Sequence, residues 1–189
     1  MSKTTRNSGA VATKAMGHAF AQIAYGHAKK LNHEHAKENF LRARDVAYAQ
    51  SDPINKDLVL REIAYRQAEC GYFQDSLKTI YEMEYNENRN WAISRLAFEH
   101  IKRGKRKEAK NLARMITDEI ILCPLLADLA DHEFTEGRFA TATATILAAR
   151  MKAMKIGIKS IREAALDSLD SIEKDMDSTL QTVSKRFEI

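Results

Sequence analysis

Apolar residues recur at intervals of three and four along almost the whole chain, and the polar breaks between these runs are themselves regularly spaced. That periodicity predicts helices nearly throughout. Only two prolines and seven glycines interrupt it, and no alternating apolar-polar run competes as a strand. The breaks carry a period: Gly71, Gly104 and Gly137 stand 33 residues apart, with Ala64, Ala97 and Ala130 seven places before each. The surroundings agree. Ile63, Leu96 and Leu129 precede the alanines, Leu60, Ile93 and Leu126 lie one turn earlier, and Ser76, Ala109 and Ala142 follow the glycines by five. A fixed period of roughly 20–50 residues marks stacked helical units, none able to bury its apolar face alone.

The organisation follows from that register. Residues 1–14 lack the periodicity and carry only positive charge, which predicts a flexible basic tail. A first unit spans about 15–50, because Ile23-Ala24-Tyr25 matches Ile63-Ala64-Tyr65 at an interval of 40. The seven extra residues are the turn-forming cluster Ser51 to Asp57, with Pro53 to end one helix and open the next. Units two, three and four cover about 56–88, 89–121 and 122–150, each a helix, a turn at the glycine and a second helix. Beyond Arg150 the register fades, and residues 151–189 read as a C-terminal cap of two amphipathic helices, 151–169 and 171–187.

Over about residues 17–150 the chain resembles the tetratricopeptide family, a helix-turn-helix repeat of about 34 residues. With the alanine as the eighth position of each unit, the small residue there is Ala24, Ala64, Ala97 and Ala130, and the small residue opening the second helix is Ala36, Ser76, Ala109 and Ala142. Later small or apolar positions are Phe40, Ile80, Ala113 and Ile146, then Ala43, Met83, Ile116 and Ala149. The sequence departs from the family pattern too. Leu31 replaces the turn glycine of the first unit, the eleventh positions hold His27, Gln67, His100 and Glu133 instead of an aromatic, and the closing proline is missing. The resemblance implies an all-α, short right-handed α-solenoid of about four such units with a C-terminal helical cap.

It also implies which face binds. In the family the first helices line a concave groove, and the ninth positions here are Tyr25, Tyr65, Phe98 and Asp131. Second positions add His18, Leu58, Trp91 and Pro124; Arg61 and Ser94 stand at the fifth, and Lys29, Glu69, Lys102 and Thr135 at the thirteenth. The expected partner-binding set is Tyr25, Lys29, Arg61, Tyr65, Trp91, Ser94, Phe98 and Lys102. An aromatic floor with lysine and arginine beside it suits a peptide or amphipathic helix of a protein client. Large residues at helical spacing also form cores, so packing against the next helix is the alternative role for these rings.

Composition sharpens this in one respect. Net charge is +4 and the isoelectric point about 9.0, and the excess is local. Lys102, Arg103, Lys105, Arg106, Lys107, Lys110 and Arg114 surround the third turn with a single acid, Glu108. Arg150, Lys152, Lys155, Lys159 and Arg162 form a second block before Glu163, after which the chain turns acidic. Such blocks attract phosphate or acidic proteins. They support an alternative function, a nucleic-acid-binding or regulatory protein using 102–114 and 150–162, although no aromatic is interleaved between Lys102 and Arg114 to stack on bases. The acidic end could also neutralise the basic block of a neighbouring molecule and make a homo-oligomer.

Catalytic patterns are not found. There is no phosphate-cradling glycine loop, Gly-x-Ser-x-Gly or His-Glu-x-x-His. His33-Glu34-His35 is the nearest approach to a metal motif, but two histidines two residues apart cannot both face one ion from a regular helix. Asp128 and Asp131 lie one turn apart with no base supplied by a second helix, and read as exposed charges. Cys70 and Cys123 have neither metal-ligand nor disulfide-framework spacing, and read as buried free thiols. No apolar run reaches the ~18 residues of a membrane span and residues 1–14 lack the apolar centre of a secretory signal, so a cytoplasmic location is expected. The expectation is thus a non-enzymatic adaptor, assembly factor or secretion-type chaperone without cofactor or metal.

Overall fold

The computed structural model describes the backbone of residues 3–187 and the side chains of residues 13–182 and 184. The described residues form nine α-helices and no strand: α1 (Lys3–Lys29), α2 (His33–Tyr48), α3 (Pro53–Glu69), α4 (Phe73–Tyr81), α5 (Asn86–Lys102), α6 (Arg106–Ala113), α7 (Glu119–Thr135), α8 (Phe139–Ala153) and α9 (Lys159–Phe187). The fold is all-α. It divides into two compact units, Met1–Glu99 and His100–Ile189, the boundary falling in the last turn of α5.

Each period of the sequence is closed by the same turn. Leu31, Gly71, Gly104 and Gly137 adopt the left-handed region, with φ of 60°, 83°, 68° and 73°. The residue after each one donates its N–H to the carbonyl five places back: Asn32 to His27 at 3.0 Å, Tyr72 to Gln67 at 2.8 Å, Lys105 to His100 at 2.9 Å and Arg138 to Glu133 at 2.9 Å. The left-handed residue itself donates three places back, completing the Schellman pattern that satisfies the last carbonyls of a helix. The donor residue then opens the next helix, its carbonyl accepting from Ala36, Ser76, Ala109 and Ala142 respectively. These four, with Ala24, Ala64, Ala97 and Ala130, are at most 1% exposed, as the small residues at close helix contacts must be.

Within Met1–Glu99, α1 packs on α2 and α3, α2 on α3, and α3 on α4. Leu60, Ile63, Ile80, Met83, Ile93 and Leu96 form the largest buried side chains there. Asp52 caps α3 through the Ile54 N–H at 3.1 Å ahead of Pro53, so this helix begins three residues before the unit expected at 56. Asp57, expected only as a turn former, is fully buried and accepts from the N–H of Glu84 at 3.1 Å and of Tyr85 at 2.7 Å, which fastens the α4–α5 loop.

Within His100–Ile189, α7 packs on α8, and α9 lies against both. Leu169 and Met176 of α9 join Ala130, Ala142, Ile146 and Ala149 in one core. Both ends of the chain differ from expectation. The backbone is helical from Lys3, so the stretch expected as a tail continues α1, there being no proline to stop it; residues 1–2 and the side chains of 1–12 lie outside the described residues. The C-terminal segment holds one long helix instead of two: α8 runs to Ala153, the chain turns through 154–158, and α9 passes without a break through Asp170.

Leu31 is the one described non-glycine in the left-handed region, and it is 78% exposed. An L-residue there costs about 1–2 kcal/mol, partly offset by the greater freedom of glycine in the unfolded chain. Leu31→Gly is expected to stabilise the protein by about 0.5–1 kcal/mol, and Gly71→Leu to destabilise it by about 1–2 kcal/mol. Thermal unfolding followed by circular dichroism reads both; a lower midpoint for Leu31→Gly would show that the exposed leucine makes a contact the turn depends on.

Candidate functional site

The expected binding residues of the first helices in Met1–Glu99 do come together, but not as a bare apolar floor. Tyr25 of α1 and Tyr65 of α3 are half-buried, as is Phe98 of α5. The Arg66 guanidinium and the Lys29 ammonium each lie 5.3 Å from the centre of the Tyr25 ring, and Arg95 lies 5.6 Å from that of Phe98. The same arginines belong to a ladder of alternating charge. Glu62 pairs with Arg66 at 2.8 Å, Arg66 with Glu69 at 2.8 Å, Glu69 with Arg95 at 2.5 Å, and Arg95 approaches Glu99 at 3.9 Å. Burial pushes the Tyr65 phenol up, with Arg61 and Arg95 opposing it and Glu62 adding to it.

The remaining members are distributed around this ladder. Arg61 donates to the Asn88 side chain at 3.0 Å, Ser94 is half-buried, and Trp91 is 44% exposed. Lys102 belongs to the other compact unit. Cation-π contacts of about 0.5–1 kcal/mol each, and half-exposed ion pairs of similar size, hold this face in a defined geometry without net charge of one sign. It can exchange its own carboxylate and guanidinium partners for those of a peptide while an aromatic edge makes the apolar contact. The ladder is absent from the expected site because Glu62, Arg66 and Arg95 fall outside the positions assigned to the groove.

The basic block splits. Arg106 pairs with Glu136, which also meets Arg138 at 3.4 Å and His132 at 3.7 Å. Lys110 pairs at 2.6 Å with Glu133, an acid only 1% exposed that also accepts from the Thr145 hydroxyl at 2.6 Å. These two cations of the expected patch therefore serve the α6–α7–α8 packing. Lys102, Arg103, Lys105 and Lys107 are exposed around the turn. In the second block, Arg150 is held between Asp170 at 2.5 Å and Glu173 at 2.6 Å, so acids of α9 neutralise it within the same chain.

The histidine cluster is engaged elsewhere. His33 Nδ1 meets the Tyr72 hydroxyl at 2.5 Å, His35 Nδ1 meets the Asn32 cap at 2.9 Å, and the His35 ring stacks on His27 at 5.3 Å. No group of three or more potential metal ligands gathers among the described residues. Neither cysteine forms a disulfide; Cys123 is buried and its thiol is pushed up to about 11 by burial, whereas Cys70 at the end of α3 is half-buried and not fully enclosed.

A second surface was not singled out by the repeat register. Between α6 and α8, over α7, lies a groove of about 460 Å³ floored by Ala113, Ile116, Leu122, Leu126 and Leu129, with Lys110, Arg114 and Lys152 among its lining residues. A groove at the same register lies between α2 and α4, but Phe40 and Tyr72 narrow it to about 320 Å³. Where α4 and its C-cap carry Lys78 and Glu82 there, α8 carries Ala144 and Ala148. Glu82 is tied to Arg44 at 2.5 Å and accepts from Tyr48 at 2.9 Å. The signal lay in α8 itself, whose sequence is apolar on its outward as well as its inward side.

Compared with protein-family profiles, curated proteins and solved structures, the chain matches none. Among the described residues no helix is long and apolar enough to cross a membrane.

Removing Lys110 would leave the Glu133 charge buried with only a hydroxyl partner. Fully buried pairs broken in this way lose about 3–5 kcal/mol, and the partly exposed Lys110 places the expected loss for Lys110→Met at about 2–3 kcal/mol. The double variant Lys110→Met/Glu133→Leu should recover most of it, since an apolar pair in this position has no charge to desolvate. Urea unfolding of the three proteins measures the difference; an unchanged midpoint for Lys110→Met would return this lysine to the solvent-facing patch.

Proposed function

We propose that the chain is a tetratricopeptide-like interaction module, a short right-handed α-solenoid of about four units with a helical cap, which binds a peptide or helix of a protein client without catalysing a reaction. The observation that carries this reading is the first-helix face of Met1–Glu99, where Tyr25 and Phe98 are each overlaid by an arginine of a continuous charge ladder. Aromatic and arginine side chains contribute most of the binding energy at protein interfaces. Four turns of one geometry, Leu31 standing in for glycine at the first, support the repeat assignment. In this reading Arg66 and Arg95 release Glu62 and Glu69 in exchange for client carboxylates, and Tyr65, Phe98 and Trp91 receive its apolar side chains.

The test is affinity purification of the tagged protein with and without nuclease, followed by mass spectrometry and by titration of the recovered client. Tyr65→Ala/Phe98→Ala is expected to weaken that client by about 30-fold or more, the loss of roughly 2 kcal/mol from an interface anchor, with the helical circular-dichroism signal retained. A client held equally by the double variant would remove the first-helix face from the function. Material that disappears with nuclease, and with Lys105→Glu/Arg106→Glu/Lys107→Glu, would move the function to the basic turn.

A further inference from the structure

We propose that the α6–α8 groove and the outward face of α8 form a second docking surface, whose occupant is an amphipathic α-helix flanked by carboxylates. Ala140, Ala144, Leu147, Met151 and, at the C-cap, Met154 follow one another at spacings of four, three, four and three on the side of α8 away from its buried residues. Leu147, Met151 and Met154 are 60%, 66% and 66% exposed. A stripe of this spacing is the seam by which one helix packs along another. At 1.5 Å per residue it runs for roughly 20 Å, four turns of a partner.

Shape and charge identify the partner. The alanine end of the stripe lets a second backbone approach closely, and the groove beside Ala144 and Ala148 is concave, a form that receives a rod and not a flat bilayer. From Arg138 to Arg162 the sequence contains six cations and no acid. Arg114 and Lys152 line the groove, and exposed Lys155 follows the last residue of the stripe. The nearest acids have partners: Glu119 meets Lys152 itself at 3.8 Å, Glu133 is held by Lys110 and Thr145, and Asp170 and Glu173 by Arg150, so only the loose Glu119 contact competes with a ligand at the groove. A second copy of α8 would set these same cations against each other, so the proposed ligand is an acidic helix of a different protein, and the acidic α9 of a second copy is the self-association outcome of the test. The corresponding groove between α2 and α4 is narrowed by rings and crossed by the Arg44–Glu82 pair, so the opening at α8 is not imposed by the repeat.

The test uses the full chain and a fluorescein-labelled designed helix of 21 residues, with leucines at alternating three and four spacing and glutamates on both flanks, against the same helix with lysine flanks. Fluorescence anisotropy should give the glutamate helix at least about tenfold tighter binding, weakening as salt rises. Leu147→Lys/Met151→Lys should abolish it. Both positions face solvent, so circular dichroism should show an unchanged fold. Tyr65→Ala/Phe98→Ala should bind the helix normally, which separates this surface from the first-helix face. Equal affinity for the two helices, or binding that survives Leu147→Lys/Met151→Lys, overturns the proposal. So does a stripe that serves only anionic phosphatidylserine vesicles in co-sedimentation, or only self-association in analytical ultracentrifugation.

Discussion

One hydrogen bond, from the residue after a left-handed turn to the carbonyl five places back, sets the geometry of the four hairpins α1–α2, α3–α4, α5–α6 and α7–α8. Because that donor residue also opens the following helix, no spare residue separates the two helices. One insertion would rotate the second helix by about 100° relative to the first and turn its buried face away. The phasing is visible in side-chain contacts that all span twelve residues: Ser76 to the Ala64 carbonyl at 2.9 Å, Thr79 to Gln67 at 2.9 Å, and Thr145 to Glu133 at 2.6 Å. The small residues of the repeat are small because this turn drives two helices together at that one place.

The same constraint explains the polar residues inside. Gln67, His100 and Glu133 occupy the position that an aromatic fills in the tetratricopeptide pattern, and all three are at most 8% exposed. A buried polar group is tolerated where its partner is delivered without searching, and the turn delivers one twelve residues on in two of these hairpins. A neutral amide is satisfied by a threonine hydroxyl. A carboxylate is not, and Glu133 additionally draws Lys110 from α6, which turns a demand of one hairpin into a tie between successive elements. The net contribution of this pair to stability is small, since an apolar pair of equal volume would desolvate at lower cost.

What the sequence made legible follows from the same physics. Left-handed turns and close helix contacts each admit few residue types, so Gly71, Gly104, Gly137 and the paired alanines stood out at a constant interval. Leu31 was recognisable as a replacement, but only its φ of 60° shows that the turn persists at a cost. The ends do not follow from the register because loss of repeat register is not loss of helix: the backbone stays helical from Lys3 through Lys14 and through Asp170. Tyr25, Tyr65 and Phe98 were placed on one face by counting, whereas the ladder over them joins α3 to α5 through side chains 26 residues apart, such as Glu69 and Arg95. Local spacing does not contain that distance. The α6–α8 groove escaped for a different reason: register comparison rewards agreement between units, and this opening is where the fourth unit disagrees with the second.

The two surfaces that result differ in the kind of energy they offer. On the first-helix face Glu62, Arg66, Glu69 and Arg95 already pair with one another, so in the proposed reading a ligand trades one ion pair for another there, and the charges favour discrimination over strength. The α8 stripe has the opposite character. Leu147, Met151 and Met154 stand in water, and burying side chains of this size contributes about 1.5–3 kcal/mol each when complete, about half of that from their present exposure. Of its cations, Lys152 meets Glu119 at 3.8 Å and Arg114 donates to Asn111 at 3.0 Å, loose contacts that acidic flanks can replace while adding steering. The surfaces share no residue and lie on different helices of their hairpins, one using first helices and the other second helices. Under the two proposals each ligand therefore uses side chains that the other does not touch, and a variant in one surface leaves the contacts of the other in place.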